Sequence, residues 1–297
     1  MVSVTIQGGL GNQLFQFAVA YNLARHLNSE LQVELSFFED QKPREDFTPR
    51  RFLLNEMGIH THKLGEDEWR RRKKAPDFFS EQSWVMYLCS KFLGQPKKFV
   101  EKLPSFDPAL FSVRGNVHLE GYFQDYRYLG NVGSFIRECI NRTIPVRDSK
   151  QDVPERGAIC MHMRRGDYLS RQDVQALMGH CDVAYYRRAL SLMYARGISA
   201  PVYIFSDDRD YAREVFEQTP GVKVWGEAST PEATLDDFMM MMRCKHFIIS
   251  NSSYSYWAAW LGGGVDSVIC YPKPWYNKYD WREYTPAPPN WTAIDRY

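Results

Sequence analysis

The chain has 297 residues, with 37 Lys+Arg against 36 Asp+Glu and a formal net charge of +1. That length makes one large domain or two ordinary ones, and the near-neutral charge excludes a nucleic-acid binder working through a broad basic surface. Hydrophobic residues at 44% and aromatics at 15% exclude a disordered chain, and the aromatic content fits a surface that stacks on a flat or sugar-like ligand.

Six cysteines (Cys89, Cys139, Cys160, Cys181, Cys244, Cys270) form no C-x-x-C pair. They read as reduced thiols, not as a disulfide framework or a zinc site. The start, Met1-Val-Ser-Val-Thr-Ile-Gln, lacks a signal-peptide pattern, and no stretch nears the twenty or so apolar residues that span a bilayer. A soluble, cytoplasmic protein is expected.

In chain order, Val2–Ile6 is a β-branched run that stops at Gly8-Gly9-Leu10-Gly11. Leu14, Phe17, Ala18, Tyr21, Ala24 and Leu27 then follow at helical spacing, so the chain opens as strand, glycine turn and helix. Leu31–Leu35 reads as a strand, Val117–Phe123 as extended and Tyr126–Asn141 as helical. Lys42 to Phe106 mixes charges and aromatics, with short helical patterns around Trp69 and Trp84–Leu93. The polar stretch Val146–Gly157 is the best linker. Beyond it, strands at Ala158–Met163, Val202–Phe205, Val222–Trp225, His246–Ile249 and Val268–Tyr271 alternate with helices at Val183–Arg196, Asp210–Gln218, Thr234–Arg243 and Tyr254–Leu261. Such alternation implies a parallel sheet covered on both faces. The tail from Pro272 shows no period and is expected to pack across a surface. Two α/β domains with a cleft between them are the simplest architecture.

Ligands of open parallel sheets sit beyond the carboxyl ends of the strands, so the residues that follow each strand carry the functional reading. The Gly8–Gln13 turn is not a dinucleotide fingerprint, because Leu14 stands at the third glycine position. Gly9 and Gly11 let the backbone approach a ligand, while Asn12 and Gln13 either cap the helix or bind sugar hydroxyls. His162-Met163-Arg164-Arg165-Gly166-Asp167-Tyr168 ends a strand. There an arginine can grip a diphosphate and an aspartate can hold that arginine. Ser206-Asp207-Asp208-Arg209-Asp210 offers carboxylates to a purine or ribose, or else caps a helix; its D-x-D is a weaker metal signal. Ser250-Asn251-Ser252-Ser253 opens a helix and makes an anion site at its N-terminus, the alternative being an ordinary cap. Tyr256, Trp257 and Trp260 read as core. Arg70–Lys74 is the one dense basic run, read as a solvated face, with weak association at a membrane surface as the alternative.

Together these segments carry a resemblance. The run from Gly8 to Ala18, Gly121-Tyr122-Phe123-Gln124, His162–Tyr168, Phe205–Asp208, Ile249–Leu261, Pro272–Tyr276 and Asn290-Trp291 resemble, in order, the motifs of bacterial α-1,2-fucosyltransferases of glycosyltransferase family 11. The resemblance implies an α/β, GT-B-like fold of two Rossmann-type domains facing a cleft. Residues 1–153 would form the acceptor-side domain, 154–275 the GDP-fucose-binding domain, and 276–297 a tail packing back across both. It further implies inverting transfer of fucose from GDP-β-L-fucose to the 2-hydroxyl of a terminal β-galactoside, with no obligate metal or other cofactor. Donor contacts would come from Gly9, Gly11, Arg164, Arg165, Asp207 (to guanine), Ser250, Asn251, Ser252 and Ser253 (to phosphate). Asn12 and Gln13 would meet the acceptor, and Arg164, His162, Asp167 and Asn12 would serve catalysis, the general base staying open. The alternatives are an α-1,6- or protein O-fucosyltransferase and, from another class, a non-catalytic galactoside-binding protein. The acceptor glycan and the oligomeric state are not legible.

Overall fold

The computed structural model describes residues 1–39, 49–75, 97–144, 154–226, 233–280, 282 and 284–297. The chain divides into two compact units, Met1–Pro145 and Val146–Tyr297. Most of the expected linker, and the helical pattern at Trp84–Leu93, lie outside the described residues. No helix among the described residues is long and apolar enough to cross a membrane.

The first unit holds strands β1 (Val2–Thr5), β2 (Leu31–Glu34), β3 (His62–Lys63), β4 (Lys97–Val100) and β5 (Val117–Glu120). They form a parallel sheet in the order β3-β2-β1-β5-β4. Successive residues of β1 are buried whichever face they point to, as a sheet covered on both sides requires. Helix Leu10–His26 follows the glycine turn, and Val19, Ala20 and Leu23 pack on Val2, Val4, Val33, Val117 and Leu119. The expected helix Tyr126–Asn141 is in fact divided. A 3-10 turn at Tyr126–Tyr128, capped by the Asp125 carboxylate, is followed by Gly130 at φ +47° and only then by helix Val132–Thr143. The left-handed glycine breaks what the apolar spacing alone would have continued.

The basic run also differs from its reading. It lies in helix Glu66–Lys73, where Arg70 and Arg71 are exposed and pair with Glu66 and Glu68. Arg72 points inward and is fully buried. Its Nη1 donates to Ser3 Oγ at 2.8 Å and to the Val117 carbonyl at 3.2 Å, and its Nε to Glu68 at 2.8 Å.

The second unit holds β6 (Ile159–Met163), β7 (Val202–Ser206), β8 (Val222–Val224), β9 (His246–Ile248), β10 (Ile269–Lys273) and β11 (Thr292–Asp295). All run parallel, in the order β11-β10-β9-β6-β7-β8. Helices Val183–Ala195, Arg209–Phe216, Ala233–Arg243 and Ser253–Gly262 occur where the spacing places them. Tyr256 and Trp257 are fully buried, as core residues should be. Two short helices, Gly166–Ser170 and Gln172–Met178, were not legible because neither carries a buried stripe.

The tail departs from expectation in another way. It belongs to the second unit and supplies the edge strand β11, in which only Ile294 is buried. One apolar side chain leaves no period to read. Its anchor is polar: fully buried Arg296 donates to the carbonyls of Met178 and Trp275 and to the Asn277 side chain.

Both sheets reverse their strand order next to their first strand. The chain builds outward from β1 through β2 to β3, then crosses to the far edge at β4 and comes back to β5 on the other side of β1. It builds outward from β6 through β7 to β8, then returns at β9. The carboxyl ends of β1/β5 and of β6/β9 are therefore the topological switch points, where such sheets hold ligands.

Candidate functional site

At the second switch point Arg164 follows β6 directly. Its Nη2 donates to Asp167 Oδ1 at 2.7 Å, and its Nη1 lies 2.9 Å from Asp207 Oδ2, at the end of β7. Burial works against the guanidinium charge, but Asp207 and Asp167 outweigh it and raise the Arg164 pKa. A guanidinium has five N–H donors, so this double anchor still leaves N–H groups for an anion.

Asp207 does more than pair with Arg164. Its two oxygens accept the backbone N–H of Arg165 at 2.8 Å and of Gly166 at 3.1 Å. A Cβ on Gly166 would stand 2.8 Å from Asp207 Oδ2, so this approach requires glycine. Arg165, past the end of the strand, has a different set of partners. Its Nε donates to Asp208 at 3.0 Å, and its guanidinium carbon sits 3.3 Å from the centre of the Tyr211 ring. Asp208 also caps helix Arg209–Phe216 by accepting from Tyr211 N. Asp210 is exposed and pairs with Arg213. The two carboxylates of the D-x-D are thus committed in different directions.

His162 lies buried on β6, its Nδ1 2.8 Å from Ser250 Oγ at the end of β9. Burial, reinforced by Arg164, lowers its pKa to about 3. At neutral pH the ring is uncharged, so it contributes hydrogen bonding to the site and no positive charge.

The β9 loop is braced from several sides. Asn251 is fully buried; its Nδ2 donates to the carbonyls of Met178, Gly179 and Trp275, and its own carbonyl accepts from Tyr168 OH at 2.9 Å. Ser250 is likewise buried against His162 and Ser255. The side chains of Ser250 and Asn251, expected at the donor, therefore build the loop. Ser252 stands at the N-cap of helix Ser253–Gly262 without a side-chain capping bond. That helix begins at the carboxyl edge of β9, the strand beside β6, and a helix N-terminus in such a place is able to bind an anion.

The remaining expected residues belong to the first unit. Gly9 precedes helix Leu10–His26, and a Cβ there would meet open space. Gly11 is buried in the first turn. Asn12 Oδ1 accepts from Gln124 Nε2 at 2.8 Å, joining the β1 loop to the β5 loop. Gln13 is fully buried: its Nε2 donates to the carbonyls of Gly8 and Arg51, and its Oε1 accepts from Leu53 N. With both ends of the amide bonded to backbone, Gln13 braces the turn. Gln16, missed by the sequence reading, does the same work between Gln7 N and the Gly121 carbonyl.

Glu101 was also missed. It follows β4, and its carboxylate accepts from Tyr122 N at 2.7 Å and Phe123 N at 3.0 Å. Burial raises its pKa to about 7 despite those two hydrogen bonds. A single glutamate in a segment without period gave no signal; only the Gly121–Gln124 motif pointed to this place.

A model of glycosyl transferase family 11 matches residues 72–295. The chain belongs to this family. The matched range takes in the whole β6–β9 site, while the Gly8–Gln13 turn precedes it. An Escherichia coli family relative, alpha-1,2-colitosyltransferase, is 26% identical over 303 aligned residues, covering 100% of this chain and 99% of its own. The O-antigen biosynthesis glycosyltransferase WbnK of Escherichia coli is 28% identical, covering 91% of this chain and 93% of its own. Human galactoside alpha-(1,2)-fucosyltransferase 1 is 33% identical over 110 residues, 35% of this chain and 28% of its own. Among solved structures, a variant of Arabidopsis thaliana FUT1 in complex with GDP aligns with a TM-score of 0.52 at 11% identity, covering 96% of this chain and 77% of that one. That likeness is one of fold: α/β, GT-B-like, with two parallel sheets.

Proposed function

We propose that this family 11 glycosyltransferase moves L-fucose from GDP-β-L-fucose to the 2-hydroxyl of a terminal β-galactoside, with inversion, forming an α-1,2 linkage. One observation carries the reading: Arg164, anchored by Asp167 and Asp207, stands at the carboxyl end of β6 beside the N-terminus of helix Ser253–Gly262. The acceptor oxygen forms its bond to the anomeric carbon and gives up its proton to water or to the departing diphosphate as the bond to the diphosphate oxygen breaks, and the departing GDP gains negative charge. Fixed donors aimed at that charge lower the barrier, and they act without reorganising because Asp207 holds both the Arg164 head and the backbone behind it.

In this reading Arg164 and the helix N-terminus, with Ser252 and Ser253, receive the diphosphate. Asp167 and Asp207 position Arg164, and neutral His162 ties β6 to the β9 loop. The names of the relatives support α-1,2 transfer, and the full-length match to a colitosyltransferase makes GDP-colitose the competing donor. The test is incubation with GDP-fucose and a panel of β-galactosides, with products read by mass and linkage analysis. An α-1,2-fucosyl product supports the proposal. Transfer from GDP-colitose but not GDP-fucose replaces the donor, an α-1,6 or peptide product replaces the acceptor chemistry, and galactoside binding without GDP affinity discards catalysis.

A further inference from the structure

The corner after β5 in the first unit combines three features that packing alone does not call for. Phe123 adopts φ +53°, a conformation that bulky side chains rarely take and that concentrates at functional sites. The preceding Gly121, at φ +153°, leaves room for Glu101: a Cβ there would lie 2.4 Å from Glu101 Cβ. The Phe123 ring lies in the core, 5.7 Å from Tyr128, while the preceding residue, Tyr122, is 43% exposed.

Glu101 holds this corner through the N–H groups of Tyr122 and Phe123. Each carboxylate oxygen can accept more than one hydrogen bond, so capacity remains for a ligand hydroxyl. The Asn12–Gln124 amide pair stands at the same β1/β5 switch point. A half-exposed aromatic ring beside a carboxylate, with neutral amides near, suits a pyranose. The sugar's C–H face lies on the ring, and its hydroxyls meet the polar groups.

We propose that the Glu101–Tyr122 corner is the acceptor-sugar subsite, the Tyr122 ring carrying the C–H face of the galactoside and the Glu101 carboxylate accepting a hydrogen bond from one of its hydroxyls. This rests on the reading of the chain as a galactoside-modifying transferase.

The test uses the full chain, lactose as acceptor and GDP-fucose as donor. Tyr122→Ala should raise the KM for lactose roughly 10-fold or more, while Tyr122→Phe, which keeps the ring, stays near wild type. Glu101→Gln should lower kcat/KM for lactose roughly 10- to 100-fold, the weight of one charge-assisted hydrogen bond. Both should leave GDP affinity and acceptor-independent GDP-fucose hydrolysis unchanged. Unchanged lactose KM in both Tyr122→Ala and Glu101→Gln overturns the subsite.

A direct measurement covers any variant that fails to fold. Wild-type protein with carbon-13-labelled tyrosine rings, Tyr122 assigned through Tyr122→Phe, is titrated with lactose. A saturable shift of the Tyr122 signal supports the subsite; its absence overturns it. If wild type lacks GDP affinity and turnover, the functional reading fails, whereas the titration judges the corner by itself.

Discussion

The carboxyl edges of the two sheets share one topology and carry different chemistry. After β6 and β7 stand Arg164, Arg165, Asp167, Asp207 and Asp208, paired within and across the two loops. After β1 and β5 the corresponding places hold the amides of Asn12, Gln13, Gln16 and Gln124, with Glu101 as the carboxylate of the corner. One edge carries charged side chains paired with one another; the other carries neutral amides, most of them committed to loop backbone, and one carboxylate. The same switch-point geometry thus carries two chemistries, and the residues just past the strands decide which. Buried histidines show the same divergence. His118 on β5 is closed in by Ser3 and Thr5, whereas His162 on β6 adjoins the charged loop.

The largest expected effect breaks the charged edge. Arg164→Ala should lower turnover by roughly 10²–10³-fold and weaken GDP binding, checked by steady-state kinetics and calorimetry. Asp207→Ala should approach the same loss, because the guanidinium and two backbone N–H groups lose their anchor together. If Asp207→Ala kept full GDP affinity, the positioning role would be wrong. At the neutral edge the contrast lies between neighbours. Gln13→Ala should cost about 1–3 kcal/mol of stability in denaturant unfolding, since it strands buried backbone groups, with the acceptor KM of the folded protein unchanged. Asn12→Ala should raise that KM with little loss of stability, and the reverse pattern would restore Gln13 as a ligand.

Acid should act on both units alike. Burial holds His118 and His162 near pKa 3, His118 with help from Arg72 and Lys98 and His162 with help from Arg164. An unfolded histidine titrates at 6.5, so the unfolded chain binds more protons between these values. Their contribution is complete above pH 6.5 and lost as pH falls toward 3; melting temperatures against pH should decline in that window. His118→Asn should flatten part of the slope. The smallest effect is expected from EDTA: with Asp208 and Asp210 committed to different partners, transfer should continue largely intact. Full loss restored by Mn²⁺ would return the D-x-D to the mechanism.

Much of the second unit was legible because its strands are short, apolar and separated by helices of ordinary length. Arg164 and Asp207 could be singled out since charges at a strand end are hard to explain by packing. Asp167 could be read as a holder of Arg164 because it stands three residues away; distant partners were not legible, since Arg165 with Asp208 and Tyr168 with the Asn251 carbonyl join residues more than forty positions apart. The loop-bracing bonds of Ser250, Asn251 and Gln13 were not legible for a related reason. A polar side chain in a motif looks the same in sequence whether it faces a ligand or satisfies a buried loop, and the buried loop has the stronger claim on an amide.

From its sequence alone the chain could be read as two α/β sheets, with an arginine-bearing strand end as the place where an anion is held. Periodicity and residue type carry that information locally. Tertiary structure decided which polar side chains are braces, that His162 is neutral, that the tail forms the edge strand β11, and that Glu101 meets Tyr122 at one corner. Each depends on burial and on partners distant in sequence, and these exist only once the strands have paired.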